Sequence, residues 1–167
     1  YDLEATSLEA AAAGKFKDGE TVTAGTDNYF TLYMSAKTKI DSSSKTWEDG
    51  YKSEQRVNFG GKADLENMKN MIAFKTEGTA KVKIWWVEGG DDNREVVIYN
   101  TSGQEVAKTD AKAAKNAAVY SELELTEAGT YYLGGDINNN YFFRVKVVDT
   151  VGGSDTPVVR KDWADVA

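Results

Sequence analysis

Apolar and polar residues alternate with a period of two along most of this chain. The clearest run is Lys81-Val82-Lys83-Ile84-Trp85-Trp86-Val87. Alternation puts Val82, Ile84 and Trp86 on one face of a strand, and Lys81, Lys83 and Trp85 on the other. Similar short runs, enriched in Val, Ile, Thr and aromatic residues, predict strands over 20–24, 29–35, 55–59, 71–76, 80–87, 95–100, 105–109, 119–125, 130–133 and 141–148. In the last of these, Phe142, Arg144 and Lys146 share one face, and Tyr141, Phe143, Val145 and Val147 the other. Tight turns are expected at Thr101-Ser102-Gly103-Gln104 and Glu127-Ala128-Gly129. A helical pattern is confined to residues 8–13, closed by Gly14. So many short strands at near-regular spacing predict an all-β, antiparallel β-sandwich, jelly-roll-like, with one short helix near the N-terminus.

The only proline, Pro157, follows Val151-Gly-Gly-Ser-Asp-Thr156, which has the composition of a linker. Residues 1–149 are therefore expected to form the sandwich. Residues 150–167, including Trp163, are expected to be a linker and the lead-in to a following module. The 167 residues are enough for one domain with a real core. If consecutive strands reverse direction, the loops at 25–28, 60–70, 88–93, 110–117 and 135–140 fall at one end of the sandwich. The long connection 36–50, with Trp47 and nearby Tyr51, falls at the other.

Composition narrows the chemistry. There is no cysteine, so disulfides and thiolate metal sites are excluded. There is no histidine either, which removes Ser-His and Cys-His catalysis and leaves little for transition metals. A net charge of -7 argues against nucleic acid or an anionic membrane as the main partner. No apolar run approaches the roughly 20 residues of a membrane span. The chain opens without a charged and apolar export signal, so any such signal is expected to be removed or to lie outside this sequence. An acidic, cysteine-free chain rich in Asn, Thr, Gly and Tyr fits an extracellular or bacterial cell-surface protein.

The candidate chemistry lies around the Trp pair. A tryptophan sharing a face with two lysines is expected to be partly wet. The glycine turn after it carries Asp91, Asp92, Asn93 and Arg94. Apolar rings beside polar groups suit a ligand with C–H faces and many hydroxyls, which describes a sugar. The expected ligand-binding set is Trp85, Lys83, Asp92, Asn93, Arg94, Asn138 and Asn139, with Trp47 and Tyr51 as an alternative platform on the long loop. Each has a plainer reading: a half-buried ring, a solvated hairpin tip with Arg94 paired to a neighbouring carboxylate, and an Asn run that forms a turn. Asp91 and Asp136 offer oxygen ligands to a hard cation such as calcium, but no EF-hand spacing accompanies them. Paired carboxylates could hydrolyse glycosides if they flanked a cleft, but a small sandwich leaves little room for one.

The runs YFTLYMSAKTKIDSSSKTWEDGYKSEQRVNFGG, AKVKIWWVEGGDDNREVVIYNTSGQEVAKT and LELTEAGTYYLGGDINNNYFFRVKVVD resemble the non-catalytic β-sandwich carbohydrate-binding modules of secreted polysaccharide-degrading enzymes from gut and rumen Firmicutes. Such modules accompany amylases, pectate lyases and pectin esterases. The tail VVRKDWADVA resembles the lead-in to a fibronectin-like domain. The resemblance implies a non-enzymatic monomeric module in a multi-domain parent, with polysaccharide or oligosaccharide as partner. It implies weak sites, about 4–8 kcal/mol of binding free energy, that gain from tethering. Starch-type α-glucan suits the acidic charge, and pectin comes next, needing a basic patch from Lys37, Lys39, Lys81, Lys83 or Arg94. The alternative is a structural spacer or adhesin domain of a bacterial surface protein.

Overall fold

The computed structural model describes residues 1–150. The stretch 151–167, read above as linker and lead-in, lies outside the described residues. The strands are β1 (Asp2–Glu4), β2 (Thr21–Ala24), β3 (Phe30–Tyr33), β4 (Lys39–Thr46), β5 (Lys52–Asn58), β6 (Met71–Thr76), β7 (Ala80–Glu88), β8 (Val96–Tyr99), β9 (Glu105–Lys108), β10 (Ala118–Leu125), β11 (Gly129–Gly135) and β12 (Asn140–Asp149). They form two antiparallel sheets, ordered β10-β7-β12-β5-β4, with β1 also on β12, and β2-β3-β6-β11-β8-β9. From β6 onward most connections cross from one sheet to the other, as in a jelly roll.

Alternation selects the faces. Val82, Ile84 and Trp86 of β7 point inward against Leu32, Ile72, Phe74 and Ile98 from the opposite sheet, all buried. In β12, Phe142, Val145 and Val147 join them. The register of β12 on β7 shifts between Phe142 and Arg144. Such a bulge places two consecutive residues on the same side. Phe143 and Arg144 therefore both face outward, and both expected groupings are corrected: Phe142 points inward with Val145 and Val147, while Tyr141 and Phe143 lie outward with Arg144 and Lys146.

The helix expected at 8–13 does not form. Among the described residues, helical structure is limited to 3-10 turns at Ala5–Ser7 and Thr26–Asn28. Six residues are too few to nucleate a stable helix alone. The backbone of Ala11 instead exchanges both hydrogen bonds with Ile40 of the edge strand β4, each at 2.9 Å.

The long connection 36–50 is also corrected, because most of it is strand β4. Its sequence, Lys-Ile-Asp-Ser-Ser-Ser-Lys-Thr, buries only Ile40 and so gives a weak apolar alternation. The extra strand changes the parity of what precedes it. Glu88 opposite Asn140, Val87 opposite Ala118, Gly135 opposite Val96 and Tyr33 opposite Met71 gather the connections 59–70, 89–95, 109–117 and 136–139 at one end. The 25–29 turn lies at the opposite end.

Candidate functional site

The outer face of the β7 sheet carries a second apolar cluster, separate from the sandwich interior: Trp47, Trp85, Val87 and Phe143, with Tyr51 and Tyr141 packed against it. The tip of the β4–β5 hairpin builds it by folding across the sheet. Trp47 meets Phe143 edge-on at 4.9 Å, and its indole N–H donates to the carbonyl of Val119 on β10 at 2.8 Å. Lys45 reaches the carbonyl of Asn116 at 2.6 Å. The tip thus spans from β12 to β10.

Trp85 is not wet, contrary to the expectation above: it is 5% exposed. Its cross-strand neighbours are Arg144 on β12 and Tyr120 on β10. The Arg144 guanidinium lies 4.6 Å from the Trp85 ring and 4.8 Å from the Tyr51 ring, a cation in contact with two neighbouring π faces. Asp2 fixes it with two bonds of 2.9 and 2.7 Å, which also push the Arg144 pKa up. The Trp85 indole N–H donates to Asp49 Oδ2 at 2.9 Å, and Asp49 Oδ1 accepts the Tyr51 backbone N–H. These two donors, the backbone one first, hold the Asp49 carboxyl below its ordinary pKa. Burial, followed by its bond to Glu4, pushes the Tyr51 phenol up to about 12.

Tyr51 and Tyr141 are half-buried, and the ring of this assembly that reaches furthest into water is Tyr120. Tyr120 is 40% exposed, with its centroid 4.9 Å from that of Trp85 and its hydroxyl 2.5 Å from Glu122. Burial, then Glu122, raises the pKa of the phenol. Sequence reasoning did not single out Tyr120. The signal was present in the outward set Tyr120, Glu122 and Glu124 on β10, as it was for Arg144. Lys81 and Lys83 are on this face as expected, but each stands opposite a carboxylate: Lys83 opposite Glu122, and Lys81 opposite Glu124 while ion-paired to Glu122 at 3.7 Å. Lys146 stands between Lys83 and Asp2. Across the strands the order is Glu122, Lys83, Lys146 and Asp2, two adjacent lysines with a carboxylate on either side.

The remaining expected residues lie at the end where the turns gather. Arg94 bonds to Asp92 at 2.7 Å and to the carbonyl and side-chain oxygens of Asn139 at 3.0 and 3.2 Å. A Cβ on Gly90 would collide with that guanidinium, and one on Gly89 with the Asn139 carbonyl it bonds to, so the glycines let Arg94 fold over the turn. Asn139 also donates to Asn58, Asn138 accepts the Asn139 backbone N–H, and Asn93 has a left-handed φ of 58° at the exposed tip. These contacts tie the 89–95 and 136–139 turns together. Arg94 is thereby occupied, and the plainer reading, in which it pairs with a neighbouring carboxylate, holds for it.

Asp136 accepts the backbone N–H groups of Glu95 and Ile137 and pairs with Lys108, while Asp91 is exposed. Among the described residues, no three Asp, Glu, His or Cys side chains come together to hold a metal ion. Glu88 is fully buried at the C-terminal end of β7; one oxygen accepts the backbone N–H of Arg94 and the other has no hydrogen-bond partner. Among the described residues no helix is long and apolar enough to cross a membrane.

No protein-family model matches this sequence, and no curated protein is similar to it. Among solved structures, a family 6 carbohydrate-binding module from Clostridium cellulolyticum in complex with xylose is 11% identical at a TM-score of 0.35, over 89% of this chain and 97% of that one. The CBM22-1 xylan-binding domain from Paenibacillus barcinonensis Xyn10C is 14% identical, also at a TM-score of 0.35, over 81% of this chain and 99% of that one. Xylose and xylan are the ligands named for those two proteins.

Proposed function

We propose that this protein is a non-catalytic carbohydrate-binding module that holds an extracellular parent enzyme on plant polysaccharide. The observation that carries this reading is Tyr120, an exposed ring backed by buried Trp85, with Glu122, Asp49 and Arg144 close enough to act on its hydroxyl. A pyranose laid on the Tyr120 ring gains C–H/π contact and dispersion, while the surrounding polar groups read its hydroxyls. The rigid support beneath the ring lowers the entropy lost on binding.

The charge pattern supports a neutral glycan. A polyuronate needs a cluster of free cations, and here Lys81 is ion-paired to Glu122, Lys83 and Lys146 each stand opposite a carboxylate across the strands, and Arg94 is engaged elsewhere. Starch-type α-glucan is therefore favoured over pectin. The carboxylates also support a non-catalytic role. A general acid needs a raised pKa, but Asp49 is pushed down by the Tyr51 and Trp85 donors, and Glu122 by Tyr120.

Burial of Trp47 and Trp85 favours a second reading, a structural spacer or adhesin domain. The two part on Tyr120. A panel of amylopectin, homogalacturonan, xylan and β-glucan, probed with wild type and Tyr120→Ala, separates them. Binding of a neutral glucan that is lost in the variant supports the module, and no binding to any member of the panel leaves the spacer.

A further inference from the structure

Along one side of the sandwich the edge strands of the two sheets approach each other without pairing, which leaves a groove opening there. β10 is the edge of one sheet and β9 the edge of the other, and they do not pair with each other. Two cavities follow β10 along this opening. One, of about 330 Å³, lies beside Tyr120 and Glu122 and faces Lys108–Ala111. The other, of about 520 Å³, begins at Glu124, where the first stops at Leu123, and lies between the 100–104 turn and the 126–130 turn. Three large hydrophobic side chains are exposed among the described residues, and two of them, Tyr120 at 40% and Val106 at 43%, stand on this groove.

We propose that this groove binds a neutral, hydroxyl-rich polysaccharide chain along its length, continuing from the Tyr120 ring. The inference rests on the carbohydrate-binding reading and adds that the ligand is held as a chain and not by its end. Continuity is the first argument, since Tyr120 and Glu122 belong both to the outer face and to the upper cavity. The lining is the second. Leu125 and Tyr131 supply a buried apolar floor, while Gln104, Glu124, Thr126 and Thr130 stand on the walls with amide, carboxylate and hydroxyl groups.

The lower cavity is lined by Glu124 and Glu127 and by no Lys or Arg. Its carboxylates accept hydrogen bonds from vicinal hydroxyls and repel uronates. Tyr120 to Leu125 spans ~17 Å of strand, room for about three or four sugar units. An added peptide strand is the competing occupant of an open edge. Charged side chains deter that kind of pairing, and here Glu105 and Lys108 flank β9 while Glu122 and Glu124 stand on β10.

The test is calorimetric titration of the protein with malto-, cello- and xylo-oligosaccharide series from disaccharide to hexasaccharide, and with oligogalacturonates. In the neutral series that binds, the proposal expects affinity to rise about tenfold or more with length, with no response to oligogalacturonates. Val106→Asp and Glu124→Lys, both at exposed positions, should reduce hexasaccharide affinity to the disaccharide level without changing disaccharide binding. Tyr120→Ala should weaken every length. Length-independent affinity, unchanged by Val106→Asp and Glu124→Lys but weakened by Tyr120→Ala, overturns the groove and leaves the Tyr120 site standing. Absence of binding in every series overturns both.

Discussion

Trp85 and Trp86 are consecutive residues, both buried, and they belong to different structures. Trp86 sits in the sandwich interior, fully enclosed, with its indole N–H on the Ser121 hydroxyl at 3.0 Å. Trp85 points the opposite way and is enclosed by parts brought from elsewhere in the chain: the hairpin tip with Asp49 and Tyr51, Arg144 held by Asp2, and the Tyr120 ring. The interior is closed by two sheets, the outer cluster by side chains and one turn. Alternation identifies which face a residue occupies. Whether that face is wet depends on what folds over it.

The largest expected effect lies in the interior. Trp86→Ala should cost about 3–5 kcal/mol, because two sheets cannot collapse into the cavity it leaves. Trp85→Ala should cost less, about 2–3 kcal/mol, since Tyr120 and Arg144 can settle into the space. Urea unfolding of the two variants measures both. Equal losses would mean that the outer cluster is as rigid as the interior and would break the comparison.

The sandwich itself was legible because its strands bury one face, and burying one face in every two residues leaves a readable pattern. β6 and β7 were read almost residue for residue. β4 was not, because an edge strand rich in serine with little apolar burial has no such pattern, and the missed strand inverted the placement of the 25–29 turn. The outward position of Lys81, Lys83 and Trp85 was legible; the lid over Trp85 was not. It depends on a hairpin tip crossing the sheet and on a bulge that adds Phe143 to the outer face, and both are tertiary events without a local sequence signal. Tyr120 was overlooked because its strand reads as ordinary alternation, with nothing local to show that Trp85 would lie beneath it.

Smaller effects sharpen the contrast. Tyr120→Ala should change stability by no more than about 1 kcal/mol, because the ring lies on the assembly and not within it. Thermal unfolding checks this; a loss matching that of Trp85→Ala would make Tyr120 structural. The smallest effect is pH-dependent. Asp49 has a folded pKa below its unfolded value, so its contribution is present above the unfolded pKa and fades as pH falls through the lower, folded one. Below about pH 4 the Trp85 indole N–H resonance should move while that of Trp86, bonded to a serine hydroxyl, stays in place. Parallel movement of both would show that acid acts on the whole fold.

The central claim is that the exposed Tyr120 ring over Trp85 holds a neutral glycan. Affinity electrophoresis through gels containing amylopectin, run at low and high salt with wild type and Tyr120→Ala side by side, tests it most directly. The account predicts that wild type is retarded equally at both salt levels and that the variant migrates as in a plain gel, because stacking and hydroxyl hydrogen bonds are little screened by ions. Equal retardation of the variant, or retardation only by homogalacturonan that collapses on adding salt, would contradict it.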